Sequence, residues 1–235
     1  MSKQYLIVGG TTGIGKALTK IITDRGDSVI IASRSASERI ESGDQISVHD
    51  IDTTDPEADW SFLPEKLDGM AFCPGSINLK PFHRFKPTDF EEDFRINLVG
   101  AVNAIQAALP ALKKADHASI VLFSTVAVQR GLNFHTSVAA AKGAVEGLTR
   151  SLSAELAPGI RVNAVALSLT ETPMAEKLLS NDSKKEAGNE RHALKRYGQP
   201  EDIAEMAAFL LGGKSTWITG QIVGVDGGMG TVQNL

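Results

Sequence analysis

The stretch Tyr5-Leu-Ile-Val-Gly-Gly-Thr-Thr-Gly-Ile-Gly-Lys16 decides how the rest of the chain is read. Its first half, Tyr5, Leu6, Ile7 and Val8, is a short apolar run of the kind that forms a buried strand. Its second half sets Gly9, Gly13 and Gly15 in a turn that leads into an amphipathic helix. Glycine lets the backbone turn sharply and lets a pyrophosphate approach with no Cβ in the way, while the free N–H groups of the adjoining helix favour an anion. The stretch is therefore a candidate phosphate cradle. The same glycines also suit an ordinary strand-to-helix turn, so the choice rests on the remainder of the chain.

Beyond the turn, helical and strand patterns alternate. Residues 14–25 carry Ile14, Ala17, Leu18, Ile21 and Ile22 at helical spacing, with Gly26 placed to stop the helix. Residues 28–33 hold Val29, Ile30, Ile31 and Ala32 in succession, the pattern of a strand covered on both faces. Further strands are expected over 46–48, 69–73, 119–124, 160–167 and 221–225. Helices are expected over 88–114, kinked or divided at Pro110, and over 137–156 and 201–211. Acidic Asp89, Glu91, Glu92 and Asp93 near the start of the 88–114 region, and lysines at its end, match the helix dipole. Strand and helix alternating throughout predict an α/β fold, a doubly wound parallel sheet in a single domain over 1–235. The polar segment 170–197 reads either as a mobile lid over the strand ends or as a solvated helical excursion.

Composition narrows the partners. The chain has 235 residues, enough for one full core, and a formal net charge of -4 with its basic residues scattered, which speaks against nucleic acid. The single cysteine, Cys73, excludes an internal disulfide, speaks against a structural zinc site, and suits a reducing cytoplasm. No apolar run approaches the ~18 residues of a membrane span.

Taken together, the ordered motifs resemble the short-chain dehydrogenase/reductase family over essentially the whole chain. Gly9, Gly13 and Gly15 fit its TGxxxGxG turn, with Val8 where threonine is usual. Asp52 fits the acidic residue beside the adenine, and Asn97, in Arg-Ile-Asn-Leu-Val-Gly, fits the helix asparagine of the active site. Thr125, after Ser124, stands at the catalytic serine's place, and Lys142 stands at the catalytic lysine's. Ile160-Arg-Val-Asn163, Arg196-Tyr-Gly-Gln-Pro-Glu-Asp-Ile203 and the stretch Ile218 to Gly228 complete the match. The resemblance implies an NAD(P)-dependent oxidoreductase acting on a small carbonyl or alcohol, assembled as a homotetramer or homodimer through the helices beginning near Thr88 and Ser137. It implies catalytic roles for Asn97, Thr125 and Lys142. The nucleotide would lie against the turn residues Gly9, Thr11, Thr12, Gly13, Ile14 and Gly15. Asp52, Gly75, Lys142, Thr170 and Thr172 would complete its contacts.

The departures are as informative. Read backwards from Lys142, the family's Tyr-x-x-x-Lys motif falls on Val138, which can neither donate a proton nor ionise. Phe72-Cys-Pro-Gly75 replaces Asn-Asn-Ala-Gly, and Leu167-Ser168 replaces Pro-Gly. Losing a positioned general acid costs about 10²–10⁴-fold, so reduction would need another proton source. Without one, the chain would be a nucleotide-binding protein with a sensing or assembly role. Ser137 and His135 precede the gap; a histidine has the better pKa for the task, while a loop-packing histidine is the ordinary reading. Ser33-Arg34 comes after the second strand, where an acidic residue would select NAD. A hydroxyl and a guanidinium there favour NADP over NAD, though Arg34 also suits a solvated cation stacked on adenine.

Overall fold

In the computed structural model, which describes residues 2–232, seven strands form one sheet. They are β1 (Gln4–Val8), β2 (Ser28–Ser33), β3 (Ile46–Asp50), β4 (Gly69–Phe72), β5 (Ala118–Thr125), β6 (Ile160–Leu167) and β7 (Ile222–Val225). The order across the sheet is β3-β2-β1-β4-β5-β6-β7, and every neighbouring pair is parallel. Parallel neighbours need crossovers; helices supply them between β1 and β2 and from β4 onward, namely α1 (Gly13–Asp24), α2 (Pro87–Phe94), α3 (Gly100–Leu112), α4 (Thr136–Leu156), α5 (Asp182–Glu190) and α6 (Pro200–Leu211), while the connections on either side of β3 carry no helix.

Successive strand residues point to opposite faces and so divide the core in two. Leu6, Val8, Ile30, Met70, Ile120 and Leu122 pack with Ile105 and Leu112 of α3 and Val145 of α4. Ile7, Val29, Ile31, Val121 and Val165 pack on the other face with Leu18 and Ile22 of α1 and Ile203 and Leu210 of α6. This is the doubly wound α/β sheet expected from the apolar runs. The chain leaves β1 toward β2 and β3 on one side and returns on the other with β4. The crevice beyond the carboxyl ends of β1 and β4 is the reversal point at which such sheets hold ligands.

One expectation needs correction. The helical region of 88–114 is not broken at Pro110, which sits in the last turns of α3. It is broken by a turn of π-helix, Arg95–Val99, between α2 and α3, and Asn97 lies at its centre. A π turn widens the backbone locally and re-aims the side chains it carries, a feature frequent at functional sites. The 170–197 segment forms a 3-10 stretch, Pro173–Leu178, and then the mostly exposed α5, while His192 after it is buried. Residues 1 and 233–235 of the expected 1–235 unit lie outside the described residues.

Gly15 sits so close under the end of β1 that a Cβ there would lie well inside van der Waals contact with the Gly9 carbonyl oxygen, a backbone atom that cannot step aside. We expect Gly15→Ala to lower stability by at least ~2 kcal/mol in urea unfolding monitored by circular dichroism. A midpoint matching the wild type would contradict this close approach.

Candidate active site

A cavity of about 680 Å³ opens along the carboxyl ends of the central strands. Gly9, Thr11, Thr12, Gly13, Ile14 and Gly15 form part of its wall. Gly9 has φ +78° and Gly13 φ +50°, left-handed conformations that glycine adopts without strain. Thr12, the N-cap of α1, gives no side-chain hydrogen bond to the helix, and the first turn holds no acidic residue. The leading N–H groups of α1 are thus left for an external anion. Thr172 packs against this turn, so that a Cβ on Gly13 would meet Thr172 Cβ at 3.3 Å, and Thr170 lines the same cavity. These observations fit a nucleotide pyrophosphate.

One end of the cavity is bounded by the loops after β2 and β3. Ser33 and Arg34 line it, as do Ser35 and Arg39, which no sequence motif singles out. The nearby carboxylates are held in place. Asp50 accepts from the Ser37 N–H at 3.0 Å and the Ser37 hydroxyl at 2.5 Å. Asp52 accepts from the Thr54 N–H at 2.9 Å and its hydroxyl at 2.7 Å. The Thr54 bonds, with Arg34 and Arg95 adding positive charge, hold the Asp52 carboxyl below the usual range.

The other end gathers Thr125 from the end of β5, Gly75 after β4, and Val138 and Lys142 one turn apart on α4. Ser124 gives its hydroxyl to the buried Glu146 of α4 at 2.8 Å, leaving Thr125 as the less committed hydroxyl. Burial brings the Lys142 ammonium down from 10.5 to about 8 and pushes the neighbouring Cys73 thiol up to about 12. Asn97 does not line the cavity. It is fully buried one layer behind, with its Oδ1 lacking any hydrogen-bond partner; both this oxygen and Lys142 Nζ lie close to Gly75, facing the space its missing side chain leaves. An orphaned buried acceptor beside an amine is a place for water.

Behind this wall lies a cluster that no sequence motif reveals. Asp93, in sequence one of several acids near a helix start, is buried. The hydroxyls of Ser76 and Ser137 donate to its two oxygens at 2.5 Å each, and Asn97 Nδ2 donates to Ser76 Oγ at 2.8 Å. The carboxylate therefore ties α2, the loop after β4 and the first turn of α4 together. Ser168, the departure after β6, is structural in the same sense: its hydroxyl meets His192 Nε2 at 2.8 Å, while His192 Nδ1 meets the Gly188 carbonyl at 2.7 Å. The two tyrosines, Tyr5 and Tyr197, do not line the cavity, whereas His135 does.

A family model described as enoyl-(acyl carrier protein) reductase matches residues 8–230. The chain belongs to the short-chain dehydrogenase/reductase family. Within it, 3-oxoacyl-[acyl-carrier-protein] reductase of Thermotoga maritima is 32% identical over 242 residues, covering 97% of each chain. L-xylulose reductase of Bos taurus is 29% identical over 237 residues, covering 96% of each. The solved structure of ElxO with NADP bound superposes with a TM-score of 0.88 at 27% identity, covering 97% of this chain and 99% of that one. This family of oxidoreductases binds NAD(P). Among the described residues no helix is long and apolar enough to cross a membrane, and no group of His, Cys, Asp or Glu is placed to hold a metal ion.

The Lys142 shift has a consequence for stability. The unfolded chain binds more protons than the folded one between pH ~8 and ~10.4, so burial of this amine destabilises the fold fully below pH 8 and less as pH rises through that window. We expect Lys142→Met to be more stable than wild type at pH 7, by on the order of 3 kcal/mol at most, with the gap closing by pH 10. Urea titrations of both proteins at the two pH values check this. A Lys142→Met variant that is less stable than wild type at pH 7 would contradict it.

Proposed function

We propose that this chain is an NADP-preferring oxidoreductase of small carbonyl or alcohol substrates whose proton route does not run through position 138. The observation that carries the reading is the continuity of one cavity. It joins an uncapped helix N-terminus over a glycine turn to Thr125 and Lys142 at one end and to a serine- and arginine-lined pocket at the other. The nicotinamide, when bound, supplies or accepts the hydride. Lys142 would hold the ribose hydroxyls, Thr125 would give its hydroxyl to the substrate oxygen, and Asn97 would keep a water beside Lys142. Thr170 and Thr172 would meet the phosphate or amide, and Gly75 leaves room for the ring.

Arg34 and Arg39, with Ser33 and Ser35, support a 2′-phosphate: guanidinium groups bind phosphate through charge-assisted hydrogen bonds, and Asp50 and Asp52 are turned into local bonds. Asp52 would lie beside the adenine. Ile77, Leu79, Leu132 and Leu178 support a substrate with an apolar body. The 170–197 segment contributes Met174, Lys177, Lys184 and Arg191 to the cavity wall, which supports its reading as a lid. Copies of the chain would associate through α2, α3 and α4.

One observation favours a second reading. Val138 is buried and aliphatic where the resemblance expects a phenol, which suits a nucleotide-binding protein without turnover. Nucleotide bound without any NADPH consumption across aldehydes and ketones would select it.

Fluorescence titration tests the cofactor reading. NADPH is expected to bind at least tenfold more tightly than NADH, and the Arg34→Ala, Arg39→Ala double variant to erase most of that difference. Equal affinities in the wild type would contradict it.

A further inference from the structure

The proposed oxidoreductase lacks a phenol, and the cavity wall offers few groups able to move a proton. Ser76 lines the cavity, but its hydrogen is given to Asp93. The Cys73 thiol is pushed up to about 12 by burial, which leaves it a poor proton source at neutral pH. Lys142 is the amine that the reading assigns to the ribose. His135 remains.

Three features distinguish it. First, positions 135, 138 and 142 are spaced by three and four residues at the start of α4, so they share one helical face, and all three line the cavity. Second, the ring has a fixed tautomer. His135 Nδ1 lies 2.7 Å from the Asn133 carbonyl oxygen, which can only accept, so Nδ1 carries its hydrogen and Nε2 is the atom whose proton comes and goes. Third, the turn that aims the ring is strained. Phe134 has φ +71°, a left-handed conformation rare for a bulky aromatic residue, and it is held there while its carbonyl accepts from the Lys80 N–H at 3.3 Å. Behind the same turn, Ser137 is pinned to Asp93, which fixes the first turn of α4.

We infer that His135 takes over the proton transfer that position 138 cannot perform, with Nε2 as the donating atom. The inference rests on the oxidoreductase reading above. In reduction the carbonyl carbon gains a hydride from the reduced nicotinamide, and the C=O π pair becomes an alkoxide lone pair. The oxygen then takes the proton from His135 Nε2–H, leaving a neutral imidazole that water in the open cavity reprotonates. Alcohol oxidation runs the same transfers backwards, with Nε2 accepting. The charged and titratable groups lining the same cavity are Lys142 on the same helix, Cys73 after β4, Lys177, Lys184 and Arg191 from the segment after β6, Glu92 and Arg95 from α2 and the turn after it, and Arg34, Arg39 and Asp52 from the loops after β2 and β3. Lys80, next to the turn, is paired with Asp89 at 2.7 Å.

Two readouts test the inference. NMR of the protein carrying ¹⁵N-labelled histidine reads the ring directly. We expect the Nδ1–H tautomer, and a titration midpoint that moves to lower pH when NADP, with its cationic ring, replaces NADPH. A midpoint that is the same with both nucleotides, while other signals report that both bind, overturns the role of His135 and leaves the nucleotide reading intact. Turnover is then measured as NADPH consumption with ethyl acetoacetate and 4-nitrobenzaldehyde. His135→Gln is expected to lower kcat by ~10²-fold or more and to abolish the ionisation of the donor from the pH profile, with NADPH affinity unchanged. Val138→Tyr in the His135→Gln background is expected to restore turnover, which shows that the variant is folded. His135→Gln with wild-type kcat and pH profile overturns the inference, whereas a wild type that binds NADPH and consumes none overturns the oxidoreductase reading itself.

Discussion

The leading N–H groups of α1, left without a side-chain cap beneath the end of β1, are the constraint on which the other features of the site depend. They stay accessible because Gly15 permits contact with the Gly9 carbonyl and because Gly9 and Gly13 turn through left-handed conformations. A helix end of this kind is poorly satisfied by itself and well satisfied by an anion. The parallel sheet places that end at the point where strand order reverses, so the free helix end opens into a cleft rather than onto a flat surface.

The second organising contact is the Asp93 carboxylate. It joins three segments far apart in sequence, through Ser76, Ser137 and the Asn97 amide. The result is a rigid seat for the start of α4, where His135 and Val138 present to the cavity. Buried charge is costly unless fully bonded, and both oxygens of Asp93 are bonded. The π turn at Arg95–Val99 belongs to the same arrangement, since it carries Asn97 and lets its amide reach both Ser76 and the Asp93 carbonyl. A polar cluster of this kind specifies one geometry for this end of the cavity while the two apolar cores carry most of the stability.

Much of this is legible in the sequence because it is local. Continuous apolar runs such as Val29 to Ala32 mark strands covered on both faces, and the glycine turn marks where the first strand hands over to a helix. The residues flanking that turn, and Ser33, Arg34, Asp52, Thr125 and Lys142, all reach the cavity wall. The features hidden from the sequence depend on partners brought from elsewhere. Asp93 looks like any acid near a helix start until Ser76 and Ser137 arrive against it. His192 sits in a polar run yet is buried, with its two ring nitrogens bonded to the Gly188 carbonyl and the Ser168 hydroxyl. Arg39 lies beyond a short turn whose return to the cleft depends on Ser37 bonding Asp50. Pro110 forfeits one backbone hydrogen bond, yet it stays inside α3, where the neighbouring Ala108, Ala111 and Leu112 are buried in the core.

A crystal structure of the NADPH complex tests the central claim most directly. The account predicts the pyrophosphate against the Gly13–Gly15 turn, Lys142 Nζ on the nicotinamide ribose hydroxyls, and His135 Nε2 facing the nicotinamide past the Val138 methyl groups. A nucleotide that binds outside this turn, or a tyrosine side chain moved in beside Lys142, would contradict it.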